Sequence, residues 1–336
     1  MMKKPFSRRS LLRQSLATGA GLFATHQTLN QSAFGQAIYN PDLTQLTQFH
    51  RGDLPILIVA PHGGTELVYG IASRRNINRP VSNFSYYSAV WTREICTQIS
   101  RTIERLSGGK KPSMVLNLAH RRYVDVNREE SDAYEVILNA PRIYWEYHDF
   151  VNEYVNRMNV LYENPIMIEI SGQRELPNLI VRRTLNGKSV DRLVSNVGEK
   201  EYKRKLQFYN NTYEKLKNTK QAPWLRATIK EYEEKKADKI FEYGNVSYAG
   251  ENSVIGEIKK RGYPINPDLY ETATEQALSV AGNYTLQRYG LRDVSNINVI
   301  QLVIGSDFRR TSNYKQTGHD LGNAIWAFAE KYILEN

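Results

Sequence analysis

The run Ile56-Leu-Ile-Val-Ala60 constrains the fold more than any other stretch of this chain. It is five apolar residues long, with no polar residue at alternate positions to give a wet face. Such a run predicts a strand buried on both faces, as in parallel sheets covered by helices. Pro61 ends it, and Gly63-Gly64 let the chain turn where a side chain would collide. His62 therefore stands at the C-terminal end of a central strand, the edge at which open α/β sheets build their sites. An imidazole there, with Glu66 four residues on, has donors suited to a divalent metal. The alternative is a histidine satisfied by backbone at a tight turn.

Three more runs have the same character: Met114-Val-Leu-Asn-Leu-Ala119, Ile166-Met-Ile-Glu-Ile170 and Val299-Ile-Gln-Leu-Val-Ile304. Between the first two strands, Tyr86 to Leu106 has helical spacing, with Ile95, Ile99 and Ile103 on one face and Gly108-Gly109 as its stop. Strand, helix and strand in so short a span make a βαβ unit and imply parallel pairing. A second amphipathic helix runs from Trp145 to Tyr162, and Asn164-Pro165 breaks it. Residues 199–240 are strongly charged and helical, which predicts solvated faces carrying i,i+4 pairs. Asn252-Ser253 caps a short helix over Val254–Lys260. Gly282 to Gly290 reads as a loop, and a last helix runs from about Gly318 to Leu334. Residues 38–53 read as an irregular link. The fold class these imply is α/β: a three-layer α/β/α domain over residues 38–336 around a mixed, largely parallel sheet.

Composition adds bounds. At 336 residues, 41% hydrophobic and with 22 tyrosines, the chain has the content of a folded domain. One cysteine, Cys96, excludes an internal disulfide and a CxxC metal site. The formal charge is +10, but Lys3, Lys4, Arg8, Arg9 and Arg13 precede the first acid, Asp42. No basic stripe with interleaved aromatics stands out in the remainder, so nucleic acid is not an expected partner. Residues 1–37 follow the plan of an export signal. Ser7-Arg8-Arg9-Ser10-Leu11-Leu12 resembles a twin-arginine motif, Leu16 to Ala24 is moderately apolar, and Gly35-Gln36-Ala37 offers a cleavage site before Ile38. The alternative is an ordinary basic tail. The apolar part is too short for a stable membrane span. An exported, periplasmic or extracytoplasmic protein without a span after signal removal is expected.

Directly after the second strand stands His120-Arg-Arg-Tyr-Val-Asp-Val-Asn-Arg128. Arginine presents a fixed fork of donors that matches a carboxylate, and asparagine adds a neutral donor. Arg121, Arg122, Asn127 and Arg128 are thus candidates for holding a small carboxylate-bearing ligand. A structural ion pair between Arg128 and Asp125 is the alternative.

Taken in order, residues 53–335 resemble the N-formylglutamate amidohydrolase family, related in fold to carboxypeptidase A-like zinc peptidases. Ala60-Pro-His-Gly-Gly64 resembles the family's histidine turn, and Val124-Asp-Val-Asn-Arg128 is similar to the Asn-Arg clamp for a terminal carboxylate. Ile166 to Gly172 lies where the family has strand–Asp–apolar–His–Gly, and Gly282–Gly290 with Ile300–Ile304 resembles its last loop and strand. The resemblance implies a zinc-exopeptidase-like fold, Zn²⁺ on His62 with Glu66, and hydrolysis of an N-acyl or amide bond beside a carboxylate.

The departures are at the chemistry. By this resemblance Ser171 replaces the second metal histidine, Val303 replaces the glutamate that activates water, and Ala89 replaces an aspartate before Thr92. Glu66 is one residue too far along for the peptidases' His-x-x-Glu. Serine is a poor zinc ligand and valine accepts no proton, so the metal and the catalytic base are both in question. Glu169 and Asp307 are the substitutes within sequence reach. Two outcomes follow: an amidohydrolase-like protein whose hydrolysis is weak or lost, or a non-catalytic exported protein that binds a ligand or partner on the same fold.

Overall fold

The four apolar runs form the middle of a seven-stranded sheet. The computed structural model describes residues 46–74, 86–135, 139–271 and 284–334. In chain order the strands are β1 (Thr47–His50), β2 (Ile56–Ala60), β3 (Ser113–Asn117), β4 (Ile166–Gln173), β5 (Ile180–Arg183), β6 (Ile265–Asn266) and β7 (Asn298–Gly305). Their order in the sheet is β1-β3-β2-β4-β7-β5-β6. The central four, β3, β2, β4 and β7, run parallel, while β1 and β5 are antiparallel to their inner neighbours. The sheet is therefore mixed and largely parallel. The register sets Ser171 of β4 beside Val303 of β7, and Glu169 beside Gln301.

Helices cover both faces, as continuous apolar strands require. On one face α1 (Thr92–Leu106) and α8 (Tyr314–Ala329) bring Ile95, Ile99, Leu321 and Phe328 onto Ile56, Ile58 and Ile168. Every residue of β2 is fully buried, and removing one Ile or Leu side chain from water contributes about 1.5–3 kcal/mol. On the other face α2 (Ala140–Leu161) packs on β1 and β3, and α7 (Tyr284–Gly290) packs on β7. Between β5 and β6 the chain makes an excursion of three helices, α3 (Asp191–Leu216), α4 (Ala222–Glu234) and α5 (Lys236–Ala249), followed by the short α6 (Val254–Lys260). Leu193, Val194, Tyr248 and Ala249 root it in the core. The pairs Lys203–Glu199, Lys235–Glu231 and Lys239–Glu242 lie along its exposed faces. No described helix is long and apolar enough to cross a membrane.

Several boundaries differ from the periodicity reading. α1 begins at Thr92 rather than Tyr86, because Trp91 takes a left-handed conformation with φ 71°. α2 begins at Ala140, with a proline in its first turn where a missing N–H costs nothing. α8 begins at Tyr314, before Gly318, and runs on into a π-helical turn over Glu330–Leu334. The segment expected as a loop before Gly290 is a helix from Tyr284 on. Ser253 does cap α6, its side chain accepting from the Gly256 amide. The export signal of residues 1–37, residues 75–78 of the basic segment Ser73-Arg-Arg-Asn-Ile-Asn78, which reads as a loop, and residues 282–283 lie outside the described residues.

Candidate functional site

His62 leaves the end of β2 with its ring buried. The two glycines after it are required by close approach rather than by unusual φ. A Cβ on Gly63 would come within 2.8 Å of Thr92 Oγ1 and 2.9 Å of the Arg93 amide nitrogen, and one on Gly64 would strike the Leu118 backbone. Beyond them Glu66 continues the ladder against Ala119, donating its amide to Leu118 O at 3.0 Å. That pairing turns the Glu66 carboxylate outward, where it is about half exposed and faces Arg93 at 3.9 Å.

The His62 ring is held at both nitrogens. Nε2 lies 2.7 Å from Asp125 Oδ1, and Nδ1 lies 3.4 Å from Ser171 Oγ. Asp125, with no exposed surface, comes from the loop after β3. Its Oδ2 accepts Arg121 Nε at 2.8 Å, Arg128 Nε at 3.0 Å and Arg74 Nη1 at 3.3 Å. Its Oδ1 also accepts the Asn127 amide at 3.2 Å, which folds the loop back on itself. Burial pushes the Asp125 carboxyl up, but the charges of Arg121, His62 and Arg74 outweigh it and hold the group well below the usual carboxylate range. Burial, then the charge of Arg121, pushes the His62 imidazole down to about 4 against the opposing pull of Asp125. At neutral pH the pair is an ionised carboxylate and a neutral imidazole. The carboxylate fixes the ring proton on Nε2, so Nδ1 carries a lone pair and the Ser171 hydroxyl donates to it.

A second polar layer lies below. Glu169, fully buried in β4, accepts Asn127 Nδ2 at 2.8 Å and Gln301 Nε2 at 2.7 Å on one oxygen. Asn127 Oδ1 accepts both the amide and the hydroxyl of Thr285, each at 3.0 Å. Burial pushes the Glu169 carboxyl up to about 7 despite the hydrogen bond from Gln301.

Of the residues singled out from sequence, the structure brings His62, Arg121 and Arg128 into one network through Asp125. Asn127 lies in the layer beneath, on Glu169 and Thr285. Arg122 is exposed and Glu66 is turned away. Val303 is buried beside Ser171, as the sheet register sets it. Asp307 pairs with Arg310 at 2.7 Å. Arg74 went unread as a site residue: it belongs to a basic loop, and nothing local in the sequence signals that its side chain turns inward onto Asp125.

The donor set does not fit a zinc ion. Such a site uses three converging protein ligands and an open position. Here His62 is spent on Asp125 and Ser171, Asp125 is spent on three guanidinium groups, and Glu66 faces Arg93. Among the described residues no group of three or more His, Cys, Asp or Glu is placed to hold a metal.

A cleft of about 340 Å³ opens next to this centre, with Ser88, Trp91, Arg174, Arg309 and Arg310 in its wall. Ser88 Oγ accepts the Arg121 amide at 3.2 Å, and Ala89 donates its amide to His62 O at 2.7 Å, so the wall is tied to the centre. Arg309 is a framework residue, its three nitrogens donating to the carbonyls of Ile304, Val90 and Gln173. Arg174, stacked 4.5 Å over the Tyr87 ring, and Arg310 are exposed.

Fold and site together define an α/β protein with a buried histidine–aspartate pair, braced by arginines, at the C-terminal edge of a parallel sheet. Solved structures similar to this chain include N-formylglutamate amidohydrolase from Ralstonia eutropha JMP134, at 12% identity over 85% of this chain and 98% of that one, with a TM-score of 0.47. A gene product of Agrobacterium tumefaciens matches at 10% identity, over 88% and 98% of the two chains, with a TM-score of 0.45. A bacteriophage poly-gamma-glutamate hydrolase matches at 13% identity, over 92% and 97%, with a TM-score of 0.33. No protein-family model and no curated protein matches the chain.

Proposed function

We propose that this is an exported protein that binds a small carboxylate-bearing ligand of the N-acyl amino acid type, with metal-dependent hydrolysis of an amide bond weak or lost. The observation that carries the second half is the setting of His62. Its nitrogens face Asp125 and Ser171, and Ser171 and Val303 lie side by side where the resembled family has a metal ligand and a base. Binding is supported by the arginine-lined cleft, where the exposed Arg174 offers a bidentate fork to a carboxylate beside Arg310, itself paired with Asp307. The order of motifs over residues 53–335 supports the N-acyl amino acid class, and the twin-arginine-type leader supports export.

Thermal-shift titration with N-formylglutamate and related N-acyl amino acids tests this. The expected result is saturable stabilisation, reaching about 2.7 kcal/mol at a hundredfold excess over Kd, with no product formation that a chelator abolishes and substoichiometric zinc in the purified protein. Arg174→Ala should weaken that stabilisation. Stoichiometric zinc together with turnover that is lost in His62→Ala would overturn the reading.

A further inference from the structure

We infer that Ser171, His62 and Asp125 form a metal-independent nucleophile relay, with Ser171 accepting an acyl group from an ester or amide. The order of contacts is Ser171 Oγ to His62 Nδ1 at 3.4 Å, then His62 Nε2 to Asp125 Oδ1 at 2.7 Å. A nucleophile, a base and a group that orients the base are the three parts that activated-hydroxyl chemistry needs. The ring is turned relative to the familiar arrangement, with Nδ1 toward the hydroxyl, but the roles depend on contacts and not on which nitrogen serves. The brace on Asp125 fixes the orienting group, since Arg74, Arg121 and Arg128 all donate to its other oxygen and leave Oδ1 to the imidazole and one amide. The 3.4 Å separation is long for a hydrogen bond, as is common for nucleophile and base before a substrate closes the site.

Ser171 differs from other buried serines of this fold. Ser189, Ser247 and Ser253 donate their hydroxyls to the carbonyls of Val299, Gly244 and Gly250, which hold the proton without removing it. Ser171 faces a base instead. It is also one residue from the cleft wall: a Cβ on Gly172 would meet the Arg309 guanidinium at 2.6 Å and Ala89 Cβ at 3.0 Å. Arg309 and Ala89 thus pack directly against Gly172, while Ser171, on the alternate face of β4, is buried beside it.

The step balances without a co-reactant other than water. Ser171 Oγ attacks the acyl carbon while its proton passes to His62 Nδ1. The bond to the leaving oxygen or nitrogen then breaks, and that atom takes the proton from His62. Water hydrolyses the acyl-serine by the same route, with His62 again accepting and returning the proton. This inference goes beyond the carboxylate-binding reading, and neither depends on the other.

The test uses the full chain in excess chelator with p-nitrophenyl acetate. A burst of p-nitrophenolate approaching one equivalent per chain is expected, with the acetyl group mapped by peptide mass to Ser171. Ser171→Ala should abolish the burst, and His62→Gln, which keeps a hydrogen-bonding side chain on Asp125, should slow acylation of Ser171 by about 10²–10⁴-fold. Mass mapping on the unaltered chain decides the matter even where a variant fails to fold. An acetyl group found only on residues other than Ser171 overturns the inference, as does a burst that disappears on chelation or a rate unchanged in folded His62→Gln. Loss of N-acyl amino acid binding, by contrast, would leave the burst intact and count only against the binding proposal.

Discussion

Glu169 sits in the middle of β4 on the same face as Ser171, with Asn127 and Gln301 donating to one of its oxygens. Burial raises its carboxyl from 4.5 to about 7, so its contribution to stability is fully present below about 4.5 and is lost as pH rises through about 7. His62 has the opposite sign: burial lowers its pKa from 6.5 to about 4, so its contribution is present above 6.5 and is lost as pH falls toward 4. Between 4.5 and 6.5 the two slopes oppose each other, and the unaltered protein should show little net pH dependence from this pair. Glu169→Gln keeps the acceptor oxygen and removes the proton, so it should unmask a stability that climbs with pH across that window. The difference between the two proteins should approach roughly 3 kcal/mol above pH 7, one pKa unit being about 1.4 kcal/mol. Urea denaturation across the pH range measures this, and identical slopes in the two proteins would refute it. Asp125→Asn is a harsher change, because it removes the charge on which three guanidinium groups converge inside the protein. A loss of about 3–5 kcal/mol is expected by chemical denaturation, as for breaking a buried ion pair; an unchanged midpoint would mean that the arginines are held by other means. Some of this centre was legible in the sequence. His62 after an apolar run, and an Asp flanked by arginines, are local patterns. The pairing of Arg128 with Asp125 was one of the two readings its local spacing left open, and it is the one the structure shows; Arg74 reaches Asp125 from 51 residues away, which no local pattern encodes.

At the scale of elements, β2 and its two glycines decide where the site sits. Gly64 adopts ordinary dihedrals, so its need is spatial: a methyl group there would meet the carbonyl carbon and oxygen of Leu118. Gly64→Ala should therefore destabilise by about 1–3 kcal/mol, the range for forcing an extra methyl into packed structure. Gly70→Ala, with nothing nearby but a φ of 78°, should cost through backbone strain alone. Hydrogen exchange separates them: Gly64→Ala should speed exchange of the Glu66 and His120 amides that tie the end of β2 to β3, and Gly70→Ala should leave those two protected. Equal protection in both variants would show that the β2–β3 junction does not depend on that close approach. The elements that could be read from sequence are those whose burial is two-sided or whose apolar spacing is helical: the four central strands, α1, α2 and α8. Those missed are short and lie outward. β1 has four residues of which only Thr47 is buried, β5 ends in Arg182-Arg183, and β6 has two residues. α7 was missed because Tyr284-Thr-Leu-Gln-Arg-Tyr-Gly290 offers little apolar surface, its helix being stabilised by packing on β7 and by Asn127 accepting the Thr285 amide.

At the scale of the whole molecule, the sheet joins segments that are far apart along the chain. β2 pairs with β4, more than a hundred residues later, and β4 pairs with β7 after a further stretch of similar length that includes the three-helix excursion. Loops of that length must close before the central strands gain their contacts, and folds dominated by such pairing fold slowly. The candidate site inherits the problem, since His62, Asp125 and Ser171 come from three segments that meet only when β2, β3 and β4 are aligned. A chain of this kind is exposed to aggregation if it crosses a membrane unfolded. The export proposed above from the twin-arginine-type run at Arg8-Arg9 would match that requirement. Replacing both with lysine keeps the charge and removes the motif. The double variant Arg8→Lys, Arg9→Lys should accumulate inside the cell with its leader attached, while the unaltered protein should be recovered outside the cytoplasm with an N-terminus at or near Ile38. A second arm separates folding from targeting: Ile58→Asp, which buries a charge in the strand at the centre of the sheet, should also fail to export although its leader is intact. Export of that variant at the normal level would argue for a route that does not require a folded sheet, and normal export of the lysine pair would remove the leader from the account altogether.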